Sequence, residues 1–328
     1  MPGSLIAATL VEGGVIAAGF AAKVIGFAIN MVASSIISKA MAPDAPNSSA
    51  SSDTPNPGSR AQVPPAGDNK LPVVYGSAYV GGVITDLSIT TDNQQLYYVL
   101  ALSEVTNTES GGTPDTITFG NIYWGGKRVV FNSTNQYVVD SLLDESTGAS
   151  DTTVAGKLEI YLYRNGSSSP VNSPSSAIAV MSNSALTYQW DSTKQMSNCA
   201  FAIIKMTYSQ TANLTSIQQT RFQLTNSRSA PGDCFYDYLT SARYGAAIPA
   251  AQVDTTSLTA LNVYSAQLFN YITYVGVPTT QLRFRFDGSI DTTQSVLSNM
   301  QLMAACCDCL IKYKKGRRKG DRITGAGR

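Results

Sequence analysis

Ile122 to Phe131 reads IYWGGKRVVF. Two runs of aromatic and β-branched residues flank Gly125-Gly126, and paired glycines readily take the positive φ angles of a tight hairpin turn. A β-hairpin is predicted here, and the chain on both sides repeats its style. Leu71 to Tyr75, Ala78 to Ile84, Leu96 to Ser103, Ile117 to Trp124, Lys127 to Phe131 and Leu158 to Tyr163 are short runs rich in Val, Ile and Tyr, separated by turn residues. Ala200 to Tyr208, AFAIIKMTY, reads as a strongly apolar strand and Thr220 to Leu224 as a weaker one. Between these groups, Asn165 to Asn183 is Ser-, Pro- and Asn-rich and is expected to be an exposed excursion.

Upstream, Ala42 through Lys70 (APDAPNSSASSDTPNPGSRAQVPPAGDNK) has too few apolar residues to build a core and is expected to be an extended linker. It isolates Leu5 to Met41, an apolar run in which Glu12, Lys23 and Lys39 leave no stretch of the roughly 18 residues that a transmembrane helix needs. Gly13, Gly14, Gly19 and Gly26 permit close helix packing. Three readings stand for this arm: an oligomer-packing helix, membrane contact, or a flexible extension.

Downstream, helical patterns appear. Asp233 to Ser241 is a short amphipathic candidate; Leu258 to Tyr274 is a longer one, with Thr256 or Ser257 available as cap. Gln281 to Phe286 alternates Leu282, Phe284 and Phe286 in the period of a strand. Asp291 or Thr292 can then cap a helix carrying Val296, Met300, Met303, Ala304 and Cys307 on one face, before a strand opening at Leu310 to Tyr313. The fold class is therefore mainly β with some helices, a β-rich α+β chain. Its expected divisions are an apolar helical arm (1–41), a linker (42–70), β-rich domains (71–230), an α+β segment (231–313) and a basic C-terminal tail (314–328).

Charged residues make up 14% of the 328, against roughly 25% in ordinary soluble proteins, so neutral polar groups cover much of the surface. The net charge of +1 is a cancellation: Lys312 to Arg328 holds eight Lys/Arg and one Asp, giving +7 and leaving −6 elsewhere. The absence of histidine rules out imidazole triads and His-containing zinc sites. Cys306, Cys307 and Cys309 are crowded and lack zinc-knuckle spacing, which favours packing thiols over a metal site. Met206, Met300 and Met303 read as core filler. The glycine pairs at Gly81-Gly82, Gly111-Gly112 and Gly125-Gly126 form no phosphate-binding pattern, and Asp233 with Asp237 is an ordinary helical i,i+4 pair rather than a hydrolase dyad. No enzyme, catalytic residue, metal or cofactor is expected. Lys312, Lys314, Lys315, Arg317, Arg318 and Lys319 form the one nucleic-acid signal, a docking or phosphate-contacting patch that a solvated charged hairpin would equally explain.

Three stretches, in order, resemble one family. Gly232 to Leu258, GDCFYDYLTSARYGAAIPAAQVDTTSL, resembles a signature of the lambda-type phage tail tip (host-specificity, or central tail hub) proteins, with Asp237, Tyr238, Leu239, Thr240, Arg243, Tyr244, Gly245, Ile248 and Pro249 matching in order. Leu71 to Ile84, LPVVYGSAYVGGVI, is similar to that family's N-terminal strand, carrying Tyr75, Gly76 and Gly81. Phe284 to Tyr313 resembles its step into a helix that ends at a cysteine, through Asp287, Gly288, Asp291, Thr292, Gln294, Ser295 and Cys306 or Cys307. The resemblance implies multidomain, baseplate-hub-like β domains and a structural role in the virion, at the distal end of a tail tube. The implied partners are other copies in a trimer, the distal tail ring protein, the tape-measure protein and a continuation hub or fibre protein. Transient contact with DNA or host membrane is a further expectation. Family members usually continue for several hundred residues, so the chain is expected to be truncated, half of a split hub, or completed by another protein. A DNA-exit factor acting through the basic terminus and a tail-associated hydrolase are the competing readings.

Overall fold

The computed structural model describes residues 59–60, 62, 70–109, 112–273, 275–315 and 321–327. The apolar arm (1–41), most of the expected linker, and Arg317, Arg318 and Lys319 lie outside them. Strand outweighs helix, and among the described residues no helix is long and apolar enough to cross a membrane.

The strands, in chain order, are β1 (Ser59–Arg60), β2 (Val73–Tyr75), β3 (Ser77–Val80), β4 (Val83–Ile89), β5 (Gln95–Glu104), β6 (Ile117–Trp124), β7 (Lys127–Phe131), β8 (Val139–Leu143), β9 (Ser150–Asp151), β10 (Leu158–Tyr163), β11 (Cys199–Thr207) and β12 (Thr220–Asn226). Helix α1 (Ala177–Met181) falls between β10 and β11. After β12 come α2 (Pro231–Thr240), α3 (Thr255–Ser265), β13 (Leu268–Ile272), β14 (Pro278–Leu282), β15 (Gly288–Ile290), α4 (Val296–Cys306), β16 (Leu310–Lys315) and β17 (Asp321–Gly327).

Two sheets face one another. One runs β1-β3-β12-β6-β7-β8-β9; the other runs β10-β11-β5-β2-β15, with β4 also paired to β5. The IYWGGKRVVF hairpin is β6-β7, with Trp124 opposite Lys127 and φ of 55° and 86° at the two glycines, the primed turn that matches strand twist. Inward residues of both sheets, among them Leu96, Tyr98, Leu100, Ile122, Trp124, Ile204, Phe222 and Leu224, interdigitate as the main core. The second sheet is covered on its other face as well. Tyr97, Val99, Tyr163, Phe201 and Ile203 lie under α1, Leu186 and Trp190, and Tyr163 stacks on Phe201 at 4.8 Å. Burial on both faces explains the unbroken apolar run of β11, where one-sided burial would have produced alternation.

A second core sits at the β2 edge. Short β15 pairs antiparallel with β2, Gly288 opposite Tyr75 and Ile290 opposite Val73. Around this seam α2, α3 and α4 pack Cys234, Phe235, Tyr238, Leu239, Leu258, Leu261, Met300, Met303 and Cys307. Val73 and Tyr75 belong to this cluster, whereas Val74 between them faces the main core.

Several sequence expectations are corrected. The expected strand Ala78 to Ile84 is two, β3 and β4, broken at Gly81-Gly82: Gly82 has φ +76°, and a Cβ there would fall 2.7 Å from Leu102 Cδ2. The excursion at 165–183 is not wholly exposed, because Ser176 caps α1 and Ala177 and Met181 pack onto the sheet. The helix expected from Leu258 to Tyr274 starts instead at Thr255, N-capped by Asp254 rather than by Thr256 or Ser257, and ends at Ser265; Leu268 to Ile272, rich in β-branched and aromatic residues, turns to strand. The strand expected at Gln281 to Phe286 ends at Leu282; Phe284 and Phe286 beyond it pack on Tyr264 and Phe235. Ser295 caps α4, while Asp291 receives the Thr293 amide and hydroxyl in a turn before it. Within the expected linker, Ser59–Arg60 pair with β3, and Gln62 accepts both the amide and the hydroxyl of Thr220. Part of the expected basic tail (314–328) is the second strand of a hairpin, the alternative that the sequence also allowed, with β17 antiparallel to β16.

Candidate functional site

Helix α2 starts on Pro231 at a position where the missing N–H costs nothing. Its apolar face builds the second core and thereby carries Asp237 inward, to 7% exposure. A carboxylate there needs donors, and three converge on it. Tyr75 Oη donates to Oδ2 at 2.7 Å, Tyr244 Oη to the same oxygen at 2.8 Å, and the Asn107 amide to Oδ1 at 3.0 Å. The donors come from β2, from the loop after α2 and from the loop after β5, so one side chain ties both cores together. Burial first, and the Asp237 charge second, push the Tyr75 and Tyr244 phenols well above their ordinary range, which keeps both protonated as donors.

The loop 241–249 folds back over α2. Gly245 makes this possible: a Cβ would fall 1.9 Å from the Tyr238 carbonyl oxygen. Ala246 N–H donates to Tyr238 O at 2.9 Å and Ile248 N–H to Leu239 O at 2.8 Å, while Pro249 precedes a 3-10 turn at Ala250–Gln252. Arg243 Nη2 reaches both Glu104 oxygens, at 2.6 and 2.9 Å. Glu109 accepts from Ser241 Oγ, Ala242 N–H and Arg243 N–H at 2.9, 2.9 and 3.1 Å. Partial burial would raise the Glu109 carboxyl, but these bonds outweigh it and hold the group below the ordinary glutamate value.

Tyr75 leads into Gly76, whose φ of +58° and lack of Cβ admit the Phe286 carbonyl, 1.8 Å from where a Cβ would sit. Asp287 Oδ1 accepts the Ser77 amide at 2.8 Å, and its Oδ2 pairs with Arg285 Nε at 2.7 Å. Thr292 Oγ1 donates to Leu71 O at 2.8 Å. Asn299 Nδ2 reaches Tyr238 Oη at 3.0 Å and Asp291 O at 2.9 Å, and Gln294 N–H closes the turn on Asp291 O.

Of the residues singled out from sequence, Tyr75, Asp237 and Tyr244 touch directly, and Gly76, Asp287 and Gly288 adjoin them across the β2-β15 seam. Tyr238, Asp291, Thr292 and Ser295 fasten α4 to α2 and Leu71, and Leu239 and Ile248 pack in the second core. Thr240 Oγ1 donates to Tyr236 O at 2.8 Å, within its own helix. Gly81, buried at the β3-β4 break, is not part of the cluster. Lys312 is exposed; Lys314 and Lys315 lie on β16, opposite Arg322 and Asp321. Sequence reasoning missed Glu104, Asn107, Glu109 and Asn226. Asn226 Nδ2 donates to Val74 O and Thr106 Oγ1, at 2.8 and 2.9 Å. Each is a common polar residue in a loop or at a strand end, with no spacing signal.

Chemically this is an interlock. A narrow polar cleft of about 210 Å³ opens over Asn107, Glu109, Tyr236, Asp237 and Tyr244, and every carboxylate named in it is already engaged by donors of the chain. Cys307 Sγ and Cys309 Sγ share a hydrogen bond at 3.4 Å, and that bond together with burial pushes the Cys307 thiol up. Among the described residues no cluster of three or more metal-binding side chains is assembled.

No protein-family model and no curated protein matches the chain. Among solved structures, a chain of the "Virion of native gene transfer agent (GTA) particle" is similar at 15% identity with a TM-score of 0.27. The match covers 52% of this chain and 29% of that one.

Proposed function

We propose that this chain is a structural protein of a phage tail tip, a hub element at the distal end of the tail tube. The supporting observation is that three stretches resembling the tail-hub family, far apart in sequence, meet in one place: the first two at the Tyr75–Asp237–Tyr244 interlock, and the third beside it, along the β2-β15 seam and through Asn299 to Tyr238. Several of the residues carrying the resemblance, Tyr75, Asp237, Arg243, Tyr244, Asp287 and Gly288, are thus ones that join the β body to the helical module. In the proposed role this junction holds the tube end closed until receptor engagement is transmitted. Three copies form a ring against the distal tail ring protein, the tape-measure protein ends inside it, and a continuation hub or fibre protein attaches beyond. Imaging of purified virions with a tag on this chain tests the reading: three copies at the tube end are expected, and absence from particles overturns it.

A second reading, contact with DNA, is favoured by the density of basic residues in the sequence from Lys312 to Lys319, of which Lys312, Lys314 and Lys315 lie on β16. A chain lacking 312–328 that still assembles but loses salt-dependent DNA affinity would establish this reading in place of the first.

A further inference from the structure

Hairpin β13-β14 projects from the second core with its apolar side chains in solvent. Leu268, Phe269, Tyr271, Ile272, Val275, Val277 and Leu282 are all exposed, Ile272 at 72%. Register puts Leu268 opposite Leu282 and Ile272 opposite Pro278 on one face, with Phe269 and Tyr271 on the other. Both faces therefore carry large apolar groups, and among the described residues neither strand has a partner outside the hairpin. Only the base is fastened. Arg283 N–H donates to Gln267 O, Phe284 N–H to Ser265 O, and the Arg283 guanidinium lies 4.7 Å over the Tyr264 ring.

We infer that this hairpin is the surface through which copies of the chain associate. An isolated two-stranded ribbon is marginal in water, and natural proteins guard free edges with lysine, proline or bulges. Here nothing from Thr255 to Leu282 carries a charge, and Pro278 is the single guard. An uncharged surface meets its own copy without like-charge repulsion and offers a charged partner nothing to recognise. Charge depletion is also what marks the core of interfaces, and homodimer interfaces are the more apolar class. Summed over both faces, the exposed apolar residues amount to on the order of 700 Å², so a ribbon enclosed on both sides by a second copy would approach the ~800 Å² each partner gives a standard interface. The inference deepens the hub reading, and rests on it for what the copies build; virion imaging tests that reading, while the purified chain in solution tests the surface.

Sedimentation velocity on the full chain over a micromolar concentration series provides the test. Wild type is expected to rise from the 34.8 kDa monomer to at least twice that mass. Leu268→Asp/Ile272→Asp and Phe269→Asp/Tyr271→Asp, one pair for each face, are expected to stay monomeric, with thermal unfolding that matches wild type at dilutions where wild type is itself monomeric, and a chain lacking 1–41 is expected to associate like wild type. Hydrogen exchange on unmodified protein gives a second measure: the 268–282 amides are expected to slow at high concentration. A wild type that remains monomeric, charged variants that associate normally, or association abolished by removing 1–41 alone would each overturn the inference. The last outcome would assign the cover to the apolar arm.

Discussion

At Asp237 a single carboxylate accepts from two buried phenols and one amide. Asp237→Ala leaves all three donors without an acceptor, at a cost of about 3 kcal/mol or more; Tyr244→Phe, which removes one donor and leaves no orphan, costs about 1 kcal/mol. Urea unfolding of the two variants checks that ratio, and equal costs would contradict the interlock. Glu109 makes a pH prediction. Its folded-state value lies below the ordinary 4.5, so the stability it contributes is complete above about pH 4.5 and is lost as pH falls through the folded value. The stability gap between wild type and Glu109→Gln, wide near pH 6, is therefore expected to narrow as pH falls below about 4.5.

Elements follow from glycines whose missing Cβ is a geometric requirement. Gly245→Ala puts a methyl 1.9 Å from the Tyr238 oxygen and Gly76→Ala puts one 1.8 Å from the Phe286 oxygen, so the loop or seam must open. At Gly126 the φ of +86° is unfavourable for alanine, but nothing lies within 4 Å, and the cost is limited to about 1–2 kcal/mol. Thermal midpoints are expected to fall steeply for the first two and modestly for the third. The same distinction explains what was legible in the sequence. β6, β7 and β10 match their expected limits because period, composition and turn residues agree locally. The Leu258 to Tyr274 helix failed because a helix-compatible pattern runs on past Ser265 into residues that the hairpin register uses as strand. β15 and α1 were invisible: three and five residues long, they exist by pairing with β2 and by covering a sheet, interactions that local sequence does not encode. Within the site, Tyr75, Asp237 and Tyr244 were found through the resemblance and not through their chemistry, while Glu104, Asn107 and Glu109, which hold the same loops, carried no signal.

For the whole molecule, the two cores offer separate optical reporters. Both tryptophans, Trp124 and Trp190, lie in the β body, whereas the three longer helices belong to the second core. If the β2-β15 seam and the interlock couple the cores, tryptophan fluorescence and helical circular dichroism report coincident denaturant transitions. In Asp237→Ala the helical signal is expected to be lost first. Separate transitions in wild type would show that the seam does not couple them.

The β2-β15 pairing also imposes a timetable on synthesis. Val73 to Tyr75 leave the ribosome more than two hundred residues before Gly288 to Ile290. At about 5–20 residues per second that is a wait of roughly 10–40 s, during which the β2 edge is open to any other strand. A nascent chain that stalls or ends before residue 290 keeps that edge exposed, and crowded polysomes, where neighbouring chains carry the same edge, are where misassembly would begin.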